Sequence, residues 1–172
     1  MNRKHGRPPV FAVSGVKNSG KTTLLENLIG VLSGRGWKVA AVKHDGHDFE
    51  PDVPGTDSHR LRKAGARGVA VYSVDKLMLV EERPNPSLDD LLELFAAYDL
   101  VLLEGGKHTP FPKLEIVRAA VSRVPVCDPE TLIGLCTDCP LSLPGIVCFG
   151  LTDYEKMADL LEARLLDKPA SE

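Results

Sequence analysis

The segment Gly15-Val16-Lys17-Asn18-Ser19-Gly20-Lys21-Thr22 constrains the fold most, because it meets the pattern G-x-x-x-x-G-K-[ST] at every fixed position. Its flanks strengthen the reading. Val10 to Ser14 is a short apolar run of strand type, and after the loop Leu24, Leu25, Leu28, Ile29 and Leu32 recur at helical spacing on one face. A strand, a glycine-rich turn and a helix in that order aim several backbone N–H groups and the positive end of a helix dipole at one point, which makes an anion site. Gly15, Lys17, Asn18, Ser19, Gly20, Lys21, Thr22 and Thr23 are therefore candidate nucleotide-binding residues. Lys21 is expected to reach the β- and γ-phosphates, and the Thr22 hydroxyl to ligate the accompanying Mg2+. Lys17 has two readings, a phosphate or partner contact and an exposed loop lysine.

The rest of the chain alternates between strand and helix patterns. Gly34-Arg35-Gly36 stops the first helix, and Trp37 to Lys43 reads as a second strand joined to the first by a right-handed crossover. A polar loop from His44 to Thr56 follows, then a short helix from Asp57 to Ala64 with Asp57 or Ser58 as its cap. Gly68 to Val74 and Leu77 to Val80 look like an antiparallel hairpin turning at Asp75-Lys76. Ser87 opens a helix presenting Leu88, Leu91, Leu92 and Phe95 and ending near Tyr98. Asp99 to Leu103 reads as the next strand, an almost unbroken apolar run of the kind found in parallel strands buried on both faces. Lys113 to Val117, Leu132 to Cys136 and Ile146 to Phe149 are further strands, and Thr152-Asp153-Tyr154-Glu155 reads as a capping box before a last helix with Met157, Leu160, Leu161 and Leu165 inward. The sum is an α/β fold: a three-layer P-loop NTPase domain whose sheet is mainly parallel and partly mixed.

A chain of 172 residues is expected to form one such domain over residues 10–168, behind a flexible polar lead at 1–9. A net charge of -3 without a basic stripe argues against nucleic acid as a partner. No apolar run has the length of a membrane span or signal segment, so a cytoplasmic protein is expected. Its four cysteines, Cys127, Cys136, Cys139 and Cys148, fall in the last third. Cys136 and Cys139 form a C-x-x-C, a spacing that metal sites use. Yet Cys127, Cys136 and Cys148 lie in or beside apolar stretches, which favours packing as reduced thiols.

Ligands in open α/β sheets bind at the carboxyl ends of the strands. Besides the phosphate loop, two such ends carry polar residues: His44-Asp45-Gly46-His47-Asp48 after the second strand, and Glu104 after the long apolar one. Glu104 is the first candidate for the acidic residue of the magnesium shell, and Asp45 the second. Lys21, Glu104 and Asp45 form the candidate catalytic set. Three readings of the histidine loop stand side by side: a phosphate-sensing loop, a solvated loop, and an independent metal site of His44, Asp45, His47, Asp48 and His59.

With these residues assembled, the chain resembles the MobB family of molybdopterin-guanine dinucleotide biosynthesis adaptor proteins. The resemblance rests on Gly15 to Leu24, on Val42 to Phe49, on Gly55-Thr56-Asp57-Ser58 with Arg60 and Ala64-Gly65-Ala66, on Glu104-Gly105-Gly106-Lys107, and on Pro112-Lys113-Leu114-Glu115, in family order. It implies a GTP-binding protein of slow GTPase activity that assists the joining of a guanine nucleotide to molybdopterin. It further implies Mg2+, a homodimer, partnership with the guanylyltransferase MobA, molybdopterin as a possible further contact, and Asp45 and Asp57 in nucleotide-facing loops. There is no N-K-x-D guanine-reading motif, and the late cysteines are no part of the family pattern. Two other readings use the same loop. An ATP-dependent small-molecule kinase would draw lid residues from Arg60, Arg62 and Arg67, and a nucleotide-dependent metallochaperone would use the histidines or cysteines as ligands.

Overall fold

The computed structural model describes residues 7–44 and 48–166. In chain order the elements are β1 (Val10–Gly15), α1 (Lys21–Gly34), β2 (Val39–Lys43), α2 (Asp57–Lys63), β3 (Gly68–Tyr72), β4 (Leu77–Glu81), α3 (Leu88–Leu94), β5 (Leu100–Glu104), β6 (Lys113–Val117), a 3-10 turn (Pro129–Thr131), β7 (Leu132–Thr137), β8 (Val147–Phe149) and α4 (Tyr154–Leu165). The described residues up to His44 and from Asp89 onward form one compact unit, and those between them form a second.

The first unit is built on a six-stranded sheet in the order β2-β5-β1-β6-β7-β8, with every pairing parallel. The antiparallel pairing expected from the sequence exists, but β3 and β4 hold it in a separate two-stranded sheet. Leu100, Val101, Leu102 and Leu103 of β5 are all buried, as the unbroken apolar run requires of a strand covered on both faces. On one side of the sheet Phe11, Val13, Leu100, Leu102, Leu114 and Ile116 meet Leu24, Leu25, Leu28 and Leu32 of α1 and Met157, Ala158 and Leu161 of α4. Arg35 ties the two helices together. It ends α1, and its guanidinium pairs with Glu155, Asp159 and Glu162 of α4, which raises its pKa above the ordinary arginine value. Trp37 Nε1 donates to Glu162 Oε1 at 2.8 Å, satisfying the indole where the chain leaves the helix.

Register decides what the sheet presents at its carboxyl edge. Glu104 pairs with Val13 of β1 on one side and with Lys43 of β2 on the other, while Gly15 lies opposite Ile116 of β6. The ends of β1, β2, β5 and β6 thus reach the same edge, where the phosphate loop begins.

In the second unit Val69 pairs with Val80 and Tyr72 with Leu77, closing the hairpin near Asp75-Lys76 as the sequence suggests. Its helix α2 is capped one residue earlier than expected. Thr56, with extended backbone, accepts from the His59 N–H through its hydroxyl, while Asp57 and Ser58 already lie inside the helix. Two other local expectations give way in the first unit. The box before α4 does not close: Asp153 is the cap position and its carboxylate turns back to accept from Gly150 N–H at 2.9 Å. α3 ends at Leu94, short of Tyr98, and buries only Leu92. Among the described residues no helix is long and apolar enough to cross a membrane.

Candidate functional site

The loop between β1 and α1 is shaped by its glycines. A Cβ on Gly15, whose φ is +142°, would lie 2.6 Å from the Ile116 carbonyl and 2.9 Å from Ser19 Oγ, so only glycine lets the loop pass this close to β6. Asn18 takes a left-handed conformation at φ 62°, and Gly20 another at 98° as the α1 cap position. Gly20 offers no side chain to cap the helix, and the first turn of α1 has no acidic residue. The N-terminal N–H groups of a 14-residue helix thus have no capping side chain, and an anion placed there would meet them and the positive end of the helix dipole.

Lys21 Nζ donates to the carbonyls of Val16 (2.7 Å) and Gly15 (3.3 Å), which keeps its ammonium folded over the loop. Thr22 Oγ1 donates to Glu104 Oε2 at 3.1 Å, a contact between residues 82 positions apart. The two side chains named independently as magnesium ligands therefore meet. Lys17, Asn18, Thr22 and Thr23 face solvent, whereas Ser19 is wholly buried and its hydroxyl has no hydrogen-bond partner. A hydroxyl enclosed in a phosphate loop without a partner fits a donor reserved for a ligand.

Behind the loop, buried polar contacts fix the backbone. The Ser14 hydroxyl donates to the Gly105 carbonyl, and Gly105 N–H donates to Val13 O at 2.9 Å, so the turn after Glu104 is sewn to β1. Lys113, also wholly buried, donates to Thr109 O and has its pKa lowered by desolvation. Glu115 accepts from the N–H groups of Val126 and Cys127. Burial, with the Glu115 charge adding to it, pushes the Cys127 thiol up to about 11, and burial pushes Cys136 up to about 12. Such thiols keep their protons at neutral pH and pack as small apolar groups. Cys148, expected in the core, is exposed because β8 turns its first two residues to solvent.

The remaining sequence candidates follow β2 in the chain. Asp45 and His47 lie outside the described residues. Asp57 stands in the first turn of α2 in the second unit, exposed and bonded to Arg60 Nη1 at 3.4 Å. Arg62 is paired with Glu50, and His59 Nδ1 accepts from Gly55 N–H. Among the described residues no three histidine, cysteine or carboxylate side chains gather as metal ligands would. Sequence reasoning passed over one residue that the geometry brings to the loop. Arg118, which directly follows β6, places its Nη1 3.5 Å from the point where a Gly20 Cβ would be. Only the strand order could have signalled it.

Comparison with known proteins bears on the family and the fold. Residues 10–138 match the family model described as MobB, "Molybdopterin guanine dinucleotide synthesis protein B". The chain is 35% identical over 161 residues to the molybdopterin-guanine dinucleotide biosynthesis adapter protein of Escherichia coli strain K12, covering 89% of this chain and 91% of that one. It is 34% identical over 158 residues to the protein of that name from Haemophilus influenzae, covering 90% and 88%. Among solved structures, a MobB homologue from Bacillus stearothermophilus superposes with a TM-score of 0.65 at 30% identity over 91% of this chain and 97% of that one. Bacillus subtilis MobB gives 0.73 at 28% identity over 94% and 99%.

Proposed function

This chain belongs to the MobB family, and we propose that it serves molybdopterin guanine dinucleotide biosynthesis as an adapter whose state is set by bound GTP and Mg2+. The observation that carries the nucleotide part is the 3.1 Å contact of Thr22 with Glu104 at the mouth of the loop. A hydroxyl and a carboxylate side by side at the start of a helix offer oxygen ligands to a hard cation, and the loop beside them offers N–H donors and Lys21 to its phosphates. When bound, the cation would neutralise phosphate charge. Thr22 and Glu104 would hold it, directly or through water, and Ser19 would donate to phosphate.

Hydrolysis is expected to be slow. Glu104 is engaged by Thr22, and few side chains of the loop could act as a strong base toward water. This supports an adapter more than a rapid enzyme. Guanine preference, a cytoplasmic location, the MobA guanylyltransferase as partner and contact with molybdopterin belong to the same reading. A homodimer does too, and the second unit supplies apolar side chains in solvent that suit one: Tyr72, Leu77 and Leu79 are all more than half exposed.

Calorimetric titration with GTP, ATP and their non-hydrolysable analogues in magnesium, beside Lys21→Ala, tests the proposal. Preference for GTP that vanishes in the variant is expected. Preference for ATP would remove the guanine assignment and bring forward a small-molecule kinase. Sedimentation of the doubly substituted Leu77→Ser, Leu79→Ser protein tests the dimer, which should shift to the mass of one chain.

A further inference from the structure

Arg118 has no part in the motifs of the chain, yet its position is closely defined. Val117, the last residue of β6, pairs with Thr137 of β7, and Gly15 pairs with Ile116, so Arg118 emerges beside the phosphate loop at the carboxyl edge of the sheet. The backbone around it is pinned. Its carbonyl accepts from the N–H groups of Val121 and Ser122, both at 2.9 Å, and the next residue, Ala119, donates its N–H to Asp138 Oδ1 at 2.7 Å. From this anchorage the side chain lies along Gly20, with Cδ 4.0 Å and Nη1 3.5 Å from the point where a Cβ would stand. Arg118 Nε is buried without a hydrogen-bond partner. Ser19 Oγ, in the adjoining residue of the loop, is wholly buried and equally unpartnered.

Two orphaned polar groups, one in the loop and one on the arginine beside it, are costly unless something completes them. A guanidinium nitrogen can only donate and a serine hydroxyl can donate, so the group that completes both is an acceptor. Beside the free N–H groups of α1 and the Lys21 ammonium, that acceptor is anionic.

We propose that Arg118 is a phosphate-binding residue supplied in cis from the end of β6, a second cation beside Lys21 that holds the phosphate chain of the nucleotide together with Ser19. The assignment rests on the nucleotide reading of the loop. Its contact is with phosphate and not with the base, so removing it weakens guanine and adenine nucleotides by the same factor. It fixes the phosphates from the β6 side while Lys21 fixes them from the helix side.

Calorimetry with GTP and with ATP on the native protein, Arg118→Gln, Arg118→Lys and Ser19→Ala tests this, with thermal melting to establish that each variant is folded. Arg118→Gln should weaken both nucleotides about ten- to a hundredfold, a charge-assisted hydrogen bond being of that size. Arg118→Lys should recover part of the loss, and Ser19→Ala should weaken both nucleotides by a smaller factor. A folded Arg118→Gln that binds both nucleotides as the native protein does overturns the assignment while leaving the nucleotide reading intact. A loss confined to one base overturns the phosphate role. Native protein that binds neither nucleotide overturns the underlying reading and the assignment with it.

Discussion

The two compact units use similar strand sequences to opposite ends. In β5 every apolar side chain is buried, whereas in β4 Leu77, Met78 and Leu79 are exposed, Leu77 at 72%. β3 buries only Val69. Nothing in strand propensity separates Leu-Val-Leu-Leu from Leu-Met-Leu-Val. β5 has a parallel partner on each side and is buried on both faces, while β3 and β4 have only each other in their sheet. An isolated two-stranded ribbon contributes little stability by itself. Stability therefore resides in the unit that carries the phosphate loop, and the other unit spends its apolar residues on surface.

The sharpest way to break this contrast is to truncate one leucine in the first unit. Leu102→Ala, at a fully buried position, should cost about 2–5 kcal/mol in urea denaturation. Val74→Ala, 99% exposed beyond β3, should stay within about 0.5 kcal/mol of the native protein. A Val74 effect as large as that of Leu102 would erase the distinction.

Next in size is the polar end of the first unit. Glu104→Gln keeps the shape of the Thr22 partner but removes its charge, and should lower the magnesium-dependent part of nucleotide affinity about tenfold. An unchanged magnesium titration would take Glu104 out of the metal shell.

The buried thiols give a test in pH. Cys136 ionises near 9.0 in an unfolded chain and near 12 when folded, so the stability this group carries is complete below the lower value and is lost as pH climbs toward the higher. Lys113 runs the other way. Its folded pKa is lowered, so it adds stability as pH rises toward 10.5. The difference between native protein and Cys136→Ala separates the two, and the variant should decline less between pH 9 and 10, by about 1 kcal/mol. Parallel curves would show that the thiol is not shielded.

Within the second unit, Thr56→Ala should loosen α2 by about 1 kcal/mol through the lost cap. Hydrogen exchange would read it locally. Amides of α2 should exchange faster while those of β5 stay unchanged, and a response in β5 would mean that the units unfold together.

How far the sequence could be read depended on how local the signal was. β1, α1, β5, β6 and the hairpin follow from period and breakers, and the phosphate loop follows from fixed spacing. Caps were less legible. Thr56, Asp57 and Ser58 are all good cap residues, and backbone conformation at Thr56 alone decides among them. Cys148 shows the same limit: its apolar neighbours suggested burial, but β8 pairs with β7 alone and turns Cys148 outward.

By itself the sequence determined that a strand, a glycine-rich turn and a helix would follow one another around Lys21, because strand and helix periodicity and glycine conformations act within a few residues. Only the tertiary structure decided which distant residues stand beside this turn. Glu104 reaches Thr22 because β5 pairs in parallel register with β1, and Arg118 reaches Gly20 because β6 flanks β1 on its other side. Such neighbours are set by strand order and register, which arise from burying every face of the sheet at once and leave no mark in any short stretch of chain.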